Sequence, residues 1–293
     1  MSSTAVAVPV AAAASWRDVV TLLKLRIGVL VVVTAFAGAV AAGGLSAGTL
    51  AVLAVACLAA SSGASALNHY FDRDLDARMA RTAGRPLPSG RIRDPRVALG
   101  IGLALIGVSL LAAPVLGWGA VAYLLAGAAT YAVVYTAWLK RRTPYSIVVG
   151  GAAGSFAALA GWQAAASTWD PAAQLLATVL FLWTPTHFWS LSIVLERDYR
   201  AAGIPALSAL VGARRTAAVV HVNTVALVVT SLALAVYVGA AYLVLAALAG
   251  AWFLVYTGRL RRDPSPERAF LTFKLSGLYL LALLAGLVLS ALV

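Results

Sequence analysis

Read from the N-terminus, the chain divides into about nine long apolar runs separated by short polar breaks. The runs cover roughly residues 20–42, 48–70, 97–116, 119–138, 146–166, 172–194, 216–237, 240–258 and 270–292. Each is close to the ~20 residues a helix needs to cross ~30 Å of hydrocarbon. The runs are continuous rather than alternating with period two, so the pattern predicts membrane-spanning helices and argues against transmembrane strands. Gly43-Gly44, Pro114 with Gly117, Trp169-Asp170-Pro171 and Gly239 mark the tight breaks.

Composition points the same way. Of 293 residues, 62% are hydrophobic and only 11% charged, far from the roughly one-quarter charged of soluble domains. A soluble fold and a disordered chain are both excluded. A single cysteine, Cys57, excludes a disulfide framework and a multi-cysteine metal site.

Net charge is +12, and its location is more informative than its size. All 22 Lys and Arg residues lie before or at the start of run one, in the connections after runs two, four, six and eight, or, for Lys274, just inside run nine. The other four connections hold none, which is the asymmetry of the positive-inside rule. It predicts nine spans in one bundle, a cytoplasmic N-terminus and an external C-terminus. Nine of the ten acids share the cytoplasmic side, Asp170 being the exception. The uncharged first 15 residues lack the basic start of a secretory signal and are expected to be a short disordered tail. Residues 16–293 then form one integral-membrane domain.

The densest chemistry is in Asn68-His69-Tyr70-Phe71-Asp72-Arg73-Asp74-Leu75-Asp76, where run two reaches the cytoplasmic side. Asn68, Asp72 and Asp76 are four apart. On a helix successive members diverge by only about 40°, so all three point one way. Asp74 points the other way, toward an arginine. The acids alone read equally as a solvated helix end. Asn68, one turn deeper in an apolar run, favours a cation held by side-chain oxygens, and those oxygens suit Mg²⁺. The basic, Pro- and Gly-broken segment Arg78–Arg96 follows directly, as a diphosphate would require. Glu196-Arg197-Asp198 is an ordinary surface trio taken alone and a second metal ligand set when paired with the first site. Lys140-Arg141-Arg142 reads as a positive-inside anchor or as a phosphate or propionate contact. His187, inside run six near Trp183, Pro185 and Trp189, reads as a helix-to-helix hydrogen bond or as a ligand to a large flat molecule.

Several segments, in order, resemble one known family. Asn68-x-x-x-Asp72-x-x-x-Asp76 is similar to the first acidic motif of the UbiA-type intramembrane prenyltransferases. The stretches 68–92, 135–162, 182–189, 198–207 and 268–280 resemble the branch of that superfamily that farnesylates protoheme IX. Thr186 stands where the branch pattern has proline, Ser155-Phe156-Ala157 replaces a proline-containing stretch, and Ala202 follows Asp198 where relatives with aromatic acceptors carry a second Asp.

The resemblance implies a UbiA-type fold, farnesyl diphosphate and heme B as substrates, heme O and diphosphate as products, and Mg²⁺ as cofactor. It implies Asn68, Asp72, Asp76 and Asp198 as catalytic and metal-binding residues, with Glu196 as a further ligand. Diphosphate or heme propionates would then meet Arg73, Arg81, Arg85, Arg91, Lys140, Arg141 and Tyr199, and heme itself His187 and Trp183. A downstream heme A synthase is the implied partner in the cell membrane, and no nucleic acid is expected. Two rivals are a prenyltransferase for an aromatic or quinone precursor, and a non-catalytic heme transporter or chaperone.

Overall fold

The computed structural model describes residues 15–292, and the regular structure among them is entirely helical. In order, the α-helices are α1 (Trp16–Leu23), α2 (Leu25–Ala41), α3 (Ala47–Ala77), α4 (Arg96–Leu110), α5 (Ala113–Ala129), α6 (Ser146–Gly150), α7 (Ala152–Ala165), α8 (Pro171–Val194), α9 (Glu196–Ala202), α10 (Leu207–Val238), α11 (Ala240–Arg262) and α12 (Pro266–Leu292). Helix α5 runs on into a π-helix, Thr130–Trp138, and a 3₁₀ turn, Leu139–Arg141. Of the tail expected over residues 1–15, only Ser15 is described. Its backbone N–H and its hydroxyl donate to Asp18 Oδ2 at 3.0 and 2.9 Å, opening α1.

Every apolar run is helical, but the count of nine spans is not reproduced. Among the described residues, seven helices are long and apolar enough to cross a membrane, and α8 with α9 makes an eighth if that bent pair is one span. The shortfall lies at α4. Its 15 residues reach only ~22 Å at 1.5 Å per residue. The apolar run continues past Leu110, but Pro114 sits in the first turn of α5, and its ring and missing N–H favour a new helix start over continuation of the old one. The first span is broken once, at Lys24, whose φ of 46° separates α1 from α2.

Helix α3 is the central pillar: 61% of its apolar window is buried, against 22% for the first span. Two close crossings hold the bundle. At α2–α7, a Cβ on Gly161 would fall 1.8 Å from Ala35 O, and one on Gly38 would fall 2.4 Å from Ala158 O. At α3–α4, a Cβ on Gly63 would fall 2.7 Å from Gly102 O. Glycines at crossings let helix backbones touch, which matters where lipid offers no hydrophobic drive between helices. The largest core cluster joins α7, α8, α10, α11 and α12 around Tyr242, Phe253 and Tyr279. Trp189, Ile193, Ala217, Leu260 and Ala269 pack together near the charged ends of α8, α10, α11 and α12. Those ends therefore lie side by side.

Candidate active site

Helix α3 stays regular to Ala77, so Asn68, Asp72 and Asp76 share one face as their spacing predicts. They are 4%, 1% and 1% exposed. The solvated-end alternative is therefore wrong for this trio. It holds for Asp74, whose half-exposed carboxylate takes two hydrogen bonds from Arg141, at 2.7 and 2.6 Å.

The buried face meets the π-helix and three basic side chains. Asn68 Nδ2 donates to Asp72 Oδ2 at 2.9 Å and to Thr136 Oγ1 at 3.1 Å. Lys24 Nζ donates to Asn68 Oδ1 at 2.6 Å and to the Tyr131 hydroxyl at 3.2 Å. Lys140 Nζ donates to Asp72 Oδ2, and Arg85 Nη1 to Asp76 Oδ2 at 2.7 Å. One oxygen of each carboxylate, Asp72 Oδ1 and Asp76 Oδ1, is buried with no hydrogen-bond partner. A buried anionic oxygen left alone is costly unless something cationic takes it. Two carboxylates and an amide fit a hard divalent cation that completes its shell with water and phosphate oxygens. No group of three His, Cys, Asp or Glu converges among the described residues.

The second acidic segment reaches the same place by a sharp bend. The chain turns 84° between α8 and α9. Ala202, at the end of α9, and Ile204 then pack on Leu75 and Met79 at the end of α3, with Tyr199 against them. Tyr199 lies within electrostatic reach of Asp72, Asp198 and Arg81. Tyr135 of the π-helix lies within reach of Tyr199, Asp72 and Arg81. Asp198 is half-buried beside this group. Glu196 instead pairs with Arg200, one turn along the same helix, at 2.9 Å.

The basic candidates separate in the same way. Arg85 and Lys140 enter the acidic face. Arg91 goes to Asp18 of α1 at 2.7 Å, and Arg141 to Asp74 and Phe71 O. Arg73 donates to Tyr70 O and lies over the Tyr70 ring at 4.9 Å. Arg81 is exposed, within electrostatic reach of Tyr135 and Tyr199.

On α8, the His187 ring stacks on Trp183 at 4.5 Å and meets the tilted ring of Phe273 at 4.3 Å. Its Nδ1 is 2.7 Å from Ser276 Oγ. That hydroxyl donates its proton to Phe273 O at 2.6 Å, so it accepts from His187 Nδ1–H. The tautomer inferred from this network leaves the Nε2 lone pair available to a metal. Trp183 Nε1 donates to Ser276 O at 2.7 Å, locking the pair to α12. Trp189, expected beside them, instead packs among Ile193, Ala217 and Val220. Helix α8 also continues unbroken through Pro185.

Three contributors were not singled out by sequence: Lys24, Tyr131 and Thr136. Lys24 carried a usable signal, because a charge inside an apolar run is a functional candidate in its own right. Tyr131 and Thr136 carried none, since nothing in their spacing announces a π-helix.

A family model described as the UbiA prenyltransferase family matches residues 30–289. The chain belongs to that family. It is 41% identical over 284 residues to protoheme IX farnesyltransferase 1 of Cenarchaeum symbiosum, covering 94% of this chain and 96% of the relative. It is 42% identical over 289 residues to protoheme IX farnesyltransferase of Rhizorhabdus wittichii, covering 97% and 95%. Its fold matches a UbiA homolog from Archaeoglobus fulgidus, solved bound to DMAPP and Mg²⁺, with a TM-score of 0.70, 17% identity, and 92% and 99% of the two chains covered.

Proposed function

We infer that this chain transfers the farnesyl group of farnesyl diphosphate to a vinyl group of heme B, giving heme O and diphosphate. The observation that carries the reading is the buried Asn68–Asp72–Asp76 face with its two orphaned carboxylate oxygens. It occurs in a chain 41–42% identical, over nearly its whole length, to protoheme IX farnesyltransferases.

Asn68, Asp72 and Asp76 would hold one Mg²⁺ and Asp198 of α9 would serve a second, and the metal when bound stabilises the negative charge that grows on the departing diphosphate. Arg85 and Lys140 are already aimed at this face, so fixed positive charge would flank the leaving group. The apolar bundle below takes the isoprenoid chain and keeps water from the allylic carbon. As the carbon–oxygen bond to diphosphate breaks, the terminal vinyl carbon of heme bonds to farnesyl C1. Water then adds to the adjoining vinyl carbon and loses a proton, completing the hydroxyethylfarnesyl group. His187 presents Nε2 to the heme iron while Trp183 flanks the ring.

The chain is a multi-pass membrane protein. By the charge asymmetry of its connections the acidic face opens to the cytoplasm, in the cell membrane, with residues 16–293 as the catalytic domain. Heme O would pass to a heme A synthase. The transporter reading is disfavoured because the acids gather at one end of the bundle, whereas transporters place polar sites near the midplane.

The test is the purified full chain with Mg²⁺, farnesyl diphosphate and heme B. Heme gaining the mass of farnesyl plus water supports the reading. Heme bound but unchanged supports the chaperone reading. Transfer to a hydroxybenzoate- or quinol-type acceptor, with heme inert, supports the other enzyme.

A further inference from the structure

We propose that Lys140 and Arg85, with Lys24 beside them, are built-in counter-ions that compete with the divalent cation for the acidic face. The cation then binds tightly only when a diphosphate arrives with it. This rests on the metal–diphosphate reading above.

Each oxygen-bearing group of the trio has its own basic partner. Lys24 is on Asn68 Oδ1, Lys140 on Asp72 Oδ2 and Arg85 on Asp76 Oδ2. The two carboxylates are 1% exposed, and the Lys140 and Arg85 side chains only 13% and 23%. Both carboxylate charges are therefore already matched, at short range and mostly out of water, where electrostatic interactions are strong. A bare divalent cation meets a neutralised face flanked by like charge, and must displace an ammonium or a guanidinium to use both oxygens of either carboxylate.

A diphosphate changes the balance. It brings several anionic oxygens to which Lys140 and Arg85 can transfer their hydrogen bonds. That transfer frees Asp72 Oδ2 and Asp76 Oδ2 beside the oxygens already without partners. Both basic groups end long, flexible side chains rooted outside α3, Lys140 in the 3₁₀ turn and Arg85 in the loop after α3, so the exchange leaves α3 unmoved. The arrangement makes metal and diphosphate mutually dependent ligands, each raising affinity for the other by the same factor.

The test uses Mn²⁺ as the metal, titrated into the full chain in lipid nanodiscs and followed by the electron paramagnetic resonance of free Mn²⁺, first alone and then with inorganic pyrophosphate. In the wild type, Mn²⁺ alone should bind weakly and pyrophosphate should tighten it. Lys140→Met and Arg85→Met should each raise the affinity for Mn²⁺ alone by about tenfold, equivalent to ~1.4 kcal/mol, and shrink the pyrophosphate gain. Lys24→Met should do the same more weakly, and it serves if either of the others fails to fold. Arg268→Met, which removes a charge paired with Asp263, is the control and should leave Mn²⁺ binding unchanged. Unchanged or weaker Mn²⁺ binding in the lysine and arginine variants overturns the proposal, as does an equal gain in the control. If the wild type binds no Mn²⁺ even with pyrophosphate, the metal–diphosphate reading itself fails.

Discussion

Lys140 and Asp72 pair across 68 residues of sequence, and Thr136 and Asn68 pair across the same 68. Equal offsets mean that the two segments run parallel and in register, each presenting residues four apart to the other. The π-helix builds this match. Its wider turn lets the Thr136 hydroxyl donate to Tyr131 O, five residues back, at 2.7 Å. The Tyr131 and Tyr135 rings stack 6.0 Å apart. Single π turns recur at functional sites, and nine residues of π-helix here border the acidic face.

Asp72→Asn and Asp76→Asn keep shape and hydrogen-bonding capacity while removing the charge that holds metal. Farnesyl transfer should fall by about 10³-fold or more, since Lewis-acid stabilisation is worth several kcal/mol. Mass spectrometry of the heme product measures the loss, and an unchanged size-exclusion profile in detergent shows that the fold persists. Wild-type turnover by either variant removes the metal assignment.

His187→Ala should abolish the Soret shift seen when heme is titrated into the protein. Ser276→Ala leaves the imidazole in place but removes the acceptor that fixes its tautomer. Heme affinity should then drop by the ~10–100-fold that follows loss of an outer partner of a metal ligand. A titration unchanged in His187→Ala makes that residue a packing group.

Gly161→Ala should cost at least ~3 kcal/mol, beyond the usual overpacking range, because the new methyl would overlap backbone rather than a movable side chain. Gly154→Ala, on the same helix, meets no atom within 4 Å and should be nearly neutral. The fraction of each variant recovered folded after mild heating in detergent compares them.

Chelation with EDTA should stop farnesyl transfer and leave far-ultraviolet circular dichroism unchanged, and added Mg²⁺ should restore turnover. The bundle needs no metal to close, because its helix contacts are apolar and its buried acids already have basic partners. Loss of helicity on chelation contradicts this.

What the chain order alone determined was periodic or compositional. Uninterrupted apolar runs dictate helices because lipid leaves no other way to satisfy the backbone. A spacing of four dictates one face for Asn68, Asp72 and Asp76, since helical geometry is local. The one-sided charge of the connections gathers those residues and Asp198 at one end. Tertiary structure alone decided which basic group meets which acid. Arg85 and Lys140 enter the site while Arg91 and Arg141 leave it for Asp18 and Asp74. It also decided that Lys24 joins, that Trp189 does not, and that α4 is only 15 residues long. Those outcomes depend on helix register, on a bend of 84° and on a π-helix. Each of these is settled by packing between segments far apart in sequence, which no local pattern encodes.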